Sequence, residues 1–158
     1  MTDKAEKRGA DPYQSGKWAG KKPYIVNRTP MEGRVVAVLT SRVEKRGLQL
    51  IHPWTRCVRA GEVHELLVTD EMDALPGGTV DRMAAIAFFE FTVGGLLVGG
   101  DTFIIGGKTI GTLVGYDETH MPNHQNILLK APERRTGQAF GLQGGDKVII
   151  QLGPEERP

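Results

Sequence analysis

Residues 94–117 read GGLLVGGDTFIIGGKTIGTLVGYD, and the spacing of glycine within them decides the fold class. Glycine pairs at 94–95, 99–100 and 106–107 separate apolar runs of only three to five residues. A helix through this stretch would carry a penalty of about 1 kcal/mol at each glycine. Glycine reaches positive φ without steric cost, so the pairs suit tight turns or bulges between strands. Gly106-Gly107-Lys108, set between Phe103-Ile104-Ile105 and Thr109-Ile110, reads as a β-hairpin.

The same strand–turn pattern extends in both directions. Residues 34–40 (RVVAVLT), 47–51 (GLQLI), 126–130 (NILLK) and 147–152 (KVIIQL) are β-branched or aliphatic runs of strand length. Residues 62–69 (EVHELLVT) begin alternating and end apolar. Residues 84–93 (AAIAFFEFTV) fit two readings, because Val80, Met83, Ala84, Ala87, Phe88 and Phe91 also form a helical stripe. The Phe-rich ending and the stop at Gly94-Gly95 favour a buried strand. Residues 132–140 (PERRTGQAF) predict one short helix, with Pro132 near its start and Gly141 just past its end. About eight to ten short strands, one minor helix and no βαβ alternation predict an all-β fold, a small closed or partly closed β-barrel. Closure would protect apolar edges such as TFII from pairing with other chains.

At 158 residues and 17.3 kDa, the chain holds one domain with a tail. Residues 1–22 carry six Lys/Arg against three acids and no apolar periodicity, which predicts a flexible basic tail ahead of a single barrel domain at 23–158. No apolar run follows the basic start, so no secretory signal is expected. With 20 basic and 19 acidic residues the chain lacks the electrostatic footprint of a nucleic-acid binder. Neither nucleic acid nor membrane is expected as a partner. The single cysteine, Cys57, excludes an internal disulfide framework and a cysteine-based zinc cluster; an inert thiol fits a cytoplasmic protein.

Chemistry concentrates at residues 117–126, DETHMPNHQN, which hold two of the four histidines. His120 and His124 are four apart, but Pro122 between them disfavours helix. HMPNH also lacks the glutamate of the zinc-protease helix. A loop can still turn both imidazoles inward. With Asp117 or Glu118 they would make the two-histidine, one-carboxylate set that suits a divalent zinc, iron or manganese ion with open positions. The candidate metal ligands are therefore His120, His124 and Asp117. The candidate acid/base groups are His120, His124 and Glu118, and Asp117, Thr119, Asn123 and Asn126 are candidates for holding a small polar ligand. The plainer alternative is a turn whose Asn, Thr and Asp side chains bond the local backbone.

Elsewhere the signals are weaker. His64 and Glu65 are adjacent in a strand, so only one faces a barrel interior. His52 neighbours Trp54 and reads as packing. Glu90, within FFEFTV, needs a partner if its strand is buried. No phosphate-binding Walker loop, nucleophile elbow or dinucleotide fingerprint is present.

Residues 118–152, ETHMPNHQNILLKAPERRTGQAFGLQGGDKVIIQL, resemble the final part of the archaeal CTP-dependent riboflavin kinases. The resemblance is carried by Thr119-His120-Met121-Pro122, the apolar 127–129, Ala131-Pro132, and Gly141-Leu142-Gln143-Gly144-Gly145-Asp146-Lys147-Val148. It covers about 35 of the 158 residues. Gly111-Thr112-Leu113 matches three letters of that family's riboflavin motif, with Val114 where asparagine stands there. The resemblance implies a cradle-loop type of barrel with the 117–126 loop at the rim of its site.

Three functions fit these readings. The first is a small-molecule-binding barrel, an enzyme if His120 and His124 act on the ligand. The second is a riboflavin-kinase-like phosphotransferase using CTP. The third is a non-catalytic module whose exposed apolar strands assemble a homo-oligomer.

Overall fold

In a computed structural model that describes residues 25–153, the chain is all-β. The expected basic tail at 1–22 lies outside the described residues. Twelve strands run in order: β1 (Met31–Val38), β2 (Arg42–Val43), β3 (Leu48–Gln49), β4 (Thr55–Val58), β5 (Val63–Thr69), β6 (Thr79–Val80), β7 (Met83–Val93), β8 (Gly95–Val98), β9 (Thr102–Ile105), β10 (Lys108–Asp117), β11 (Asn126–Lys130) and β12 (Lys147–Gln151). The ambiguous 84–93 segment is the long strand β7. Among the described residues none is long, apolar and helical enough to cross a membrane.

Seven strands form the ring β1-β12-β9-β10-β11-β5-β7, which closes because β1 pairs with both β12 and β7. Each ring pairing is antiparallel except β11 with β5, which is parallel. The short β2 extends the sheet beside β7, β3 pairs with β6, and β4 pairs with β8 in a separate ribbon. Closure removes the free edges that a seven-stranded open sheet would expose.

Alternation along the strands sorts side chains between two cores. Leu66, Phe89, Phe91, Phe103, Tyr116 and Ile127 point into the ring and are fully buried. Their outward neighbours Leu67, Ala85, Val114 and Leu128 pack a second core with Leu48, Leu50 and Val80. That outer layer, built from the stretches around β3 and β6, covers β5 and β11 on their second face. Two-sided burial explains why LLV at 66–68 and ILL at 127–129 read as continuous apolar runs, as buried parallel strands do.

The β9–β10 hairpin turns at Gly106 (φ 56°) and Gly107 (φ 78°), a left-handed pair that few residues other than glycine adopt. The expected helix at 132–140 does not form. A Cβ on Gly137 would stand 1.8 Å from the Ile86 carbonyl oxygen, so this backbone lies directly on β7. Its amides bond across instead of along: Gly137 N–H donates to Ala85 O (3.1 Å) and Gln138 N–H to Leu39 O (3.1 Å). What remains is a single turn, Phe140 N–H to Thr136 O, closed by Gly141 at φ 72°. Buried Arg134 pins the segment through Val43 O (3.0 Å) and Glu44 (2.8 Å). Glu90 finds its partner in Arg34, at 2.7 Å, and Cys57 is exposed on β4.

Candidate functional site

Strand β10 ends at Asp117 and β11 begins at Asn126, so the histidine loop joins two neighbouring strands of the ring. Its shape begins with Asp117. Burial alone would raise this carboxyl's pKa. The Thr119 N–H and hydroxyl, the Gln49 N–H and the Asn126 amide together hold it below the usual carboxylate range. Both oxygens are thereby committed to bracing the loop. The tip is a tight reversal: Met121 N–H donates to Glu118 O (3.1 Å), and the Asn123 and His124 amides both donate to His120 O (2.9 and 3.3 Å). The Met121–Pro122 peptide bond within it is cis.

This reversal brings His120 and His124 together without a helix. Their rings stack at 5.1 Å between centroids, 30° from parallel. His120 is exposed, whereas His124 is only 8% exposed and sets its edge on Phe88, with centroids 4.9 Å apart. His124 Nε2 lies 3.1 Å from a Glu65 carboxylate oxygen, and its Nδ1 lies 2.8 Å from Asn123 Nδ2. The metal-binding atoms of Glu65, His120 and His124 all lie within 4.8 Å of one another. Arg46 completes the group, its Nη2 3.2 Å from His120 Nε2.

Two of the three expected metal ligands are thus adjacent, and the carboxylate beside them is Glu65 and not Asp117. Asp117 is consumed by the loop's own hydrogen bonds and stands outside the group. Glu118 is exposed, and among the described residues its carboxylate meets only Gln125, at a long 3.4 Å. Thr119 bonds Asp117, Asn123 orients His124, and Asn126 is buried with its amide on Asp117. Part of the loop therefore does behave as the hydrogen-bonded turn that was the plainer alternative.

Glu65 is the residue that sequence reasoning missed. It precedes inward-facing Leu66, so it projects from the outer face, level with Asn126 in the parallel β5–β11 register and with Phe88 in the β5–β7 register. Its neighbour His64 takes the opposite side. His64 Nδ1 accepts the Gln125 backbone N–H (3.0 Å), which leaves the proton on Nε2 to donate to Glu62 (3.0 Å). Burial keeps the His64 pKa below the ordinary imidazole range, against the opposing pull of Glu62. Burial would raise the Glu62 pKa, but the Arg59 backbone N–H, Arg56 and His64 bring it down to about 2. One face of the β5 terminus therefore ties the histidine loop to the barrel, and the other presents a carboxylate to it.

Residues 25–151 match the model of a family of unknown function (DUF6917), and the chain belongs to that family. No curated protein and no solved structure matches it.

Proposed function

We propose that this member of the DUF6917 family binds a divalent transition-metal ion through Glu65, His120 and His124, and through the metal's open positions a small polar ligand. The convergence of two imidazoles and one carboxylate within 4.8 Å is the observation that carries the reading. Ligand atoms on a tetrahedral ion with bonds of about 2.0–2.1 Å stand about 3.4 Å apart. His124 and Glu65 already meet that spacing at 3.1 Å. The remaining adjustment falls on the exposed side chain of His120, which would give up its contact with Arg46.

The hydrogen bonds around His124 fit the role. With Asn123 Nδ2 donating to Nδ1, the proton sits on Nε2 and is shared with Glu65. A metal would take Nε2 with the ring proton moved to Nδ1, and a flip of the Asn123 amide would present Oδ1 to that Nδ1–H, the outer partner that metal-bound histidines use. Three protein ligands leave one or more positions for water or a ligand oxygen, the arrangement of catalytic rather than purely structural ions.

The test is elemental analysis of the native protein, followed by calorimetric titration of metal-stripped protein with Zn²⁺, Fe²⁺ and Mn²⁺. One ion per chain is expected, lost in Glu65→Gln and in His124→Gln. Protein that retains no metal and takes up none in titration would leave the loop as a hydrogen-bonded turn. A thermal shift with CTP or riboflavin, in protein that binds no metal, would favour the phosphotransferase reading.

A further inference from the structure

A pocket lies at the other end of β11. Asn126 opens this strand beside the histidines and Lys130 closes it, so the two ends are about 13 Å apart at the usual rise of an extended chain. Around Lys130 the structure holds a pocket of about 260 Å³ on the outer face of β10 and β11. Its walls include Trp54, Leu75, Pro76 and Gly99; Thr112 and Lys130 supply the polar side chains, and no acidic side chain lines it. Thr112 and Lys130 are direct cross-strand partners, so a hydroxyl and an ammonium stand side by side on one face. Lys130 makes no ion pair among the described residues; its contact is a long 3.5 Å approach to the Met72 carbonyl.

The walls of the pocket are fixed by the fold's own hydrogen bonds. Gly99 N–H donates to Trp54 O (2.9 Å), and a Cβ at Gly99 would press on the indole at 3.3 Å, so the glycine lets Trp54 lie against the β8–β9 turn. The opposite wall, residues 74–76, is braced by Ala74 N–H to Glu71 O, Gly78 N–H to Leu75 O and Gly77 N–H to Ile51 O, all within 3.1 Å. Leu75 is nonetheless 61% exposed, an apolar side chain left in water at the mouth. Preformed, mainly apolar walls with a few convergent polar groups are the pattern of small-ligand sites.

We infer that this pocket binds a small organic monocarboxylate with a planar or branched apolar body, its carboxylate between Lys130 and Thr112 and its body against Trp54. Size sets the body: a cavity of about 150 Å³ takes benzene, so about 260 Å³ takes about ten heavy atoms. Charge sets the head group, because the one ionic side chain in the lining is a cation without a carboxylate partner among the described residues.

The experiment uses the full chain carrying Trp18→Phe, which leaves Trp54 as its one indole. Phenylacetate is titrated against Trp54 emission, with phenethylamine and benzyl alcohol as the matched cation and neutral controls, and ligand-observed NMR reads the same titrations. Saturable binding of phenylacetate is expected, weakened about tenfold by Lys130→Met and to a similar degree for either control. Lys130→Gln gives the same result if methionine disturbs the strand, and His124→Gln leaves the affinity unchanged because that site is a strand's length away. Absence of saturable binding by both readouts would overturn the inference. So would equal affinity for the acid and the amine, or indifference to both Lys130 variants.

Discussion

Arg46 offers the sharpest test of the histidine site, because removing it should strengthen metal binding. Its guanidinium stands 3.2 Å from His120 Nε2 and occupies the lone pair that a metal would use. A metal bonded to that nitrogen at about 2.1 Å would lie on the same lone pair, almost on the place Nη2 now holds, so Arg46 must swing aside for the ion to bind. With the guanidinium displaced to about 5 Å from the ion, a single and a double positive charge still repel by about 1.7 kcal/mol in water, and salt at 0.1 M reduces this to about 1 kcal/mol. Arg46→Ala should therefore tighten binding about fivefold at that salt. The backbone bond from Arg46 N–H to Asp81 O survives the substitution, so the fold should not change. The assay is calorimetric titration of metal-stripped protein with Zn²⁺ at 0.02, 0.1 and 1 M salt. Repulsion predicts that the gain shrinks as salt rises; competition for the lone pair alone predicts a gain independent of salt, and Arg46→Lys separates the two. Weaker binding in Arg46→Ala at every salt would refute the reasoning, since the arginine would then be supporting His120 rather than excluding the metal.

Other consequences concern the fold that holds the site. His64 has a folded-state pKa below its ordinary value because it is buried, so its contribution to stability is complete above about pH 6.5 and is lost as pH falls below that. The unfolding free energy in urea should drop as pH falls from about 6.5 to 5, at a slope of up to about 1.4 kcal/mol per unit for one proton, and His64→Asn should flatten that limb; an unchanged limb removes His64 as its cause. A second loss is due at lower pH, where Asp117 and Glu62, both held below the usual carboxylate range, take up protons. Gly137→Ala should cost about 3 kcal/mol in chemical unfolding, since its Cβ meets Ile86 O at 1.8 Å and the segment must lift off β7; a loss under about 1 kcal/mol would mean the segment is not seated there. Gly106→Val or Gly107→Val should cost about 1–3 kcal/mol through strain at positive φ, and neutral thermal melts for both would contradict the hairpin.

Where local chemistry decided local structure, the sequence was legible. The Gly106-Gly107 pair specified a turn whose two flanking runs pair with each other, and the apolar runs at 126–130 and 147–152 had only one extended reading. The short helix at 132–140 failed for a non-local reason. Proline, a favourable middle and a terminal glycine are all helix signals, but Gly137 serves to bring the backbone onto β7, and the amides a helix would use are donated to Ala85 and Leu39. A glycine kept for close approach looks, in sequence, like a glycine that merely interrupts a helix.

The candidate site divides along the same line. His120 and His124 were legible as a pair because a reversal of a few residues suffices to join them, and Pro122 excluded the helical alternative. Glu65 was not legible as their companion, since it is 59 residues from His124 in sequence and reaches it through the ring's one parallel pairing. Parallel strands carry no hairpin to announce their register. The apolar runs of β5 and β11 reveal that both faces are buried, without revealing that the two strands are neighbours. Alternation did show that His64 and Glu65 must diverge, and the division of labour follows from it. The inward histidine fixes the loop through Gln125, while the outward carboxylate is left to meet His124. A one-residue slip between β5 and β11 would exchange those roles, placing an unpaired carboxylate in the apolar ring and an imidazole beside the other two. Burial of Leu66 and Val68 in the ring excludes that slip, so the register that packs the barrel is also the register that assembles the site.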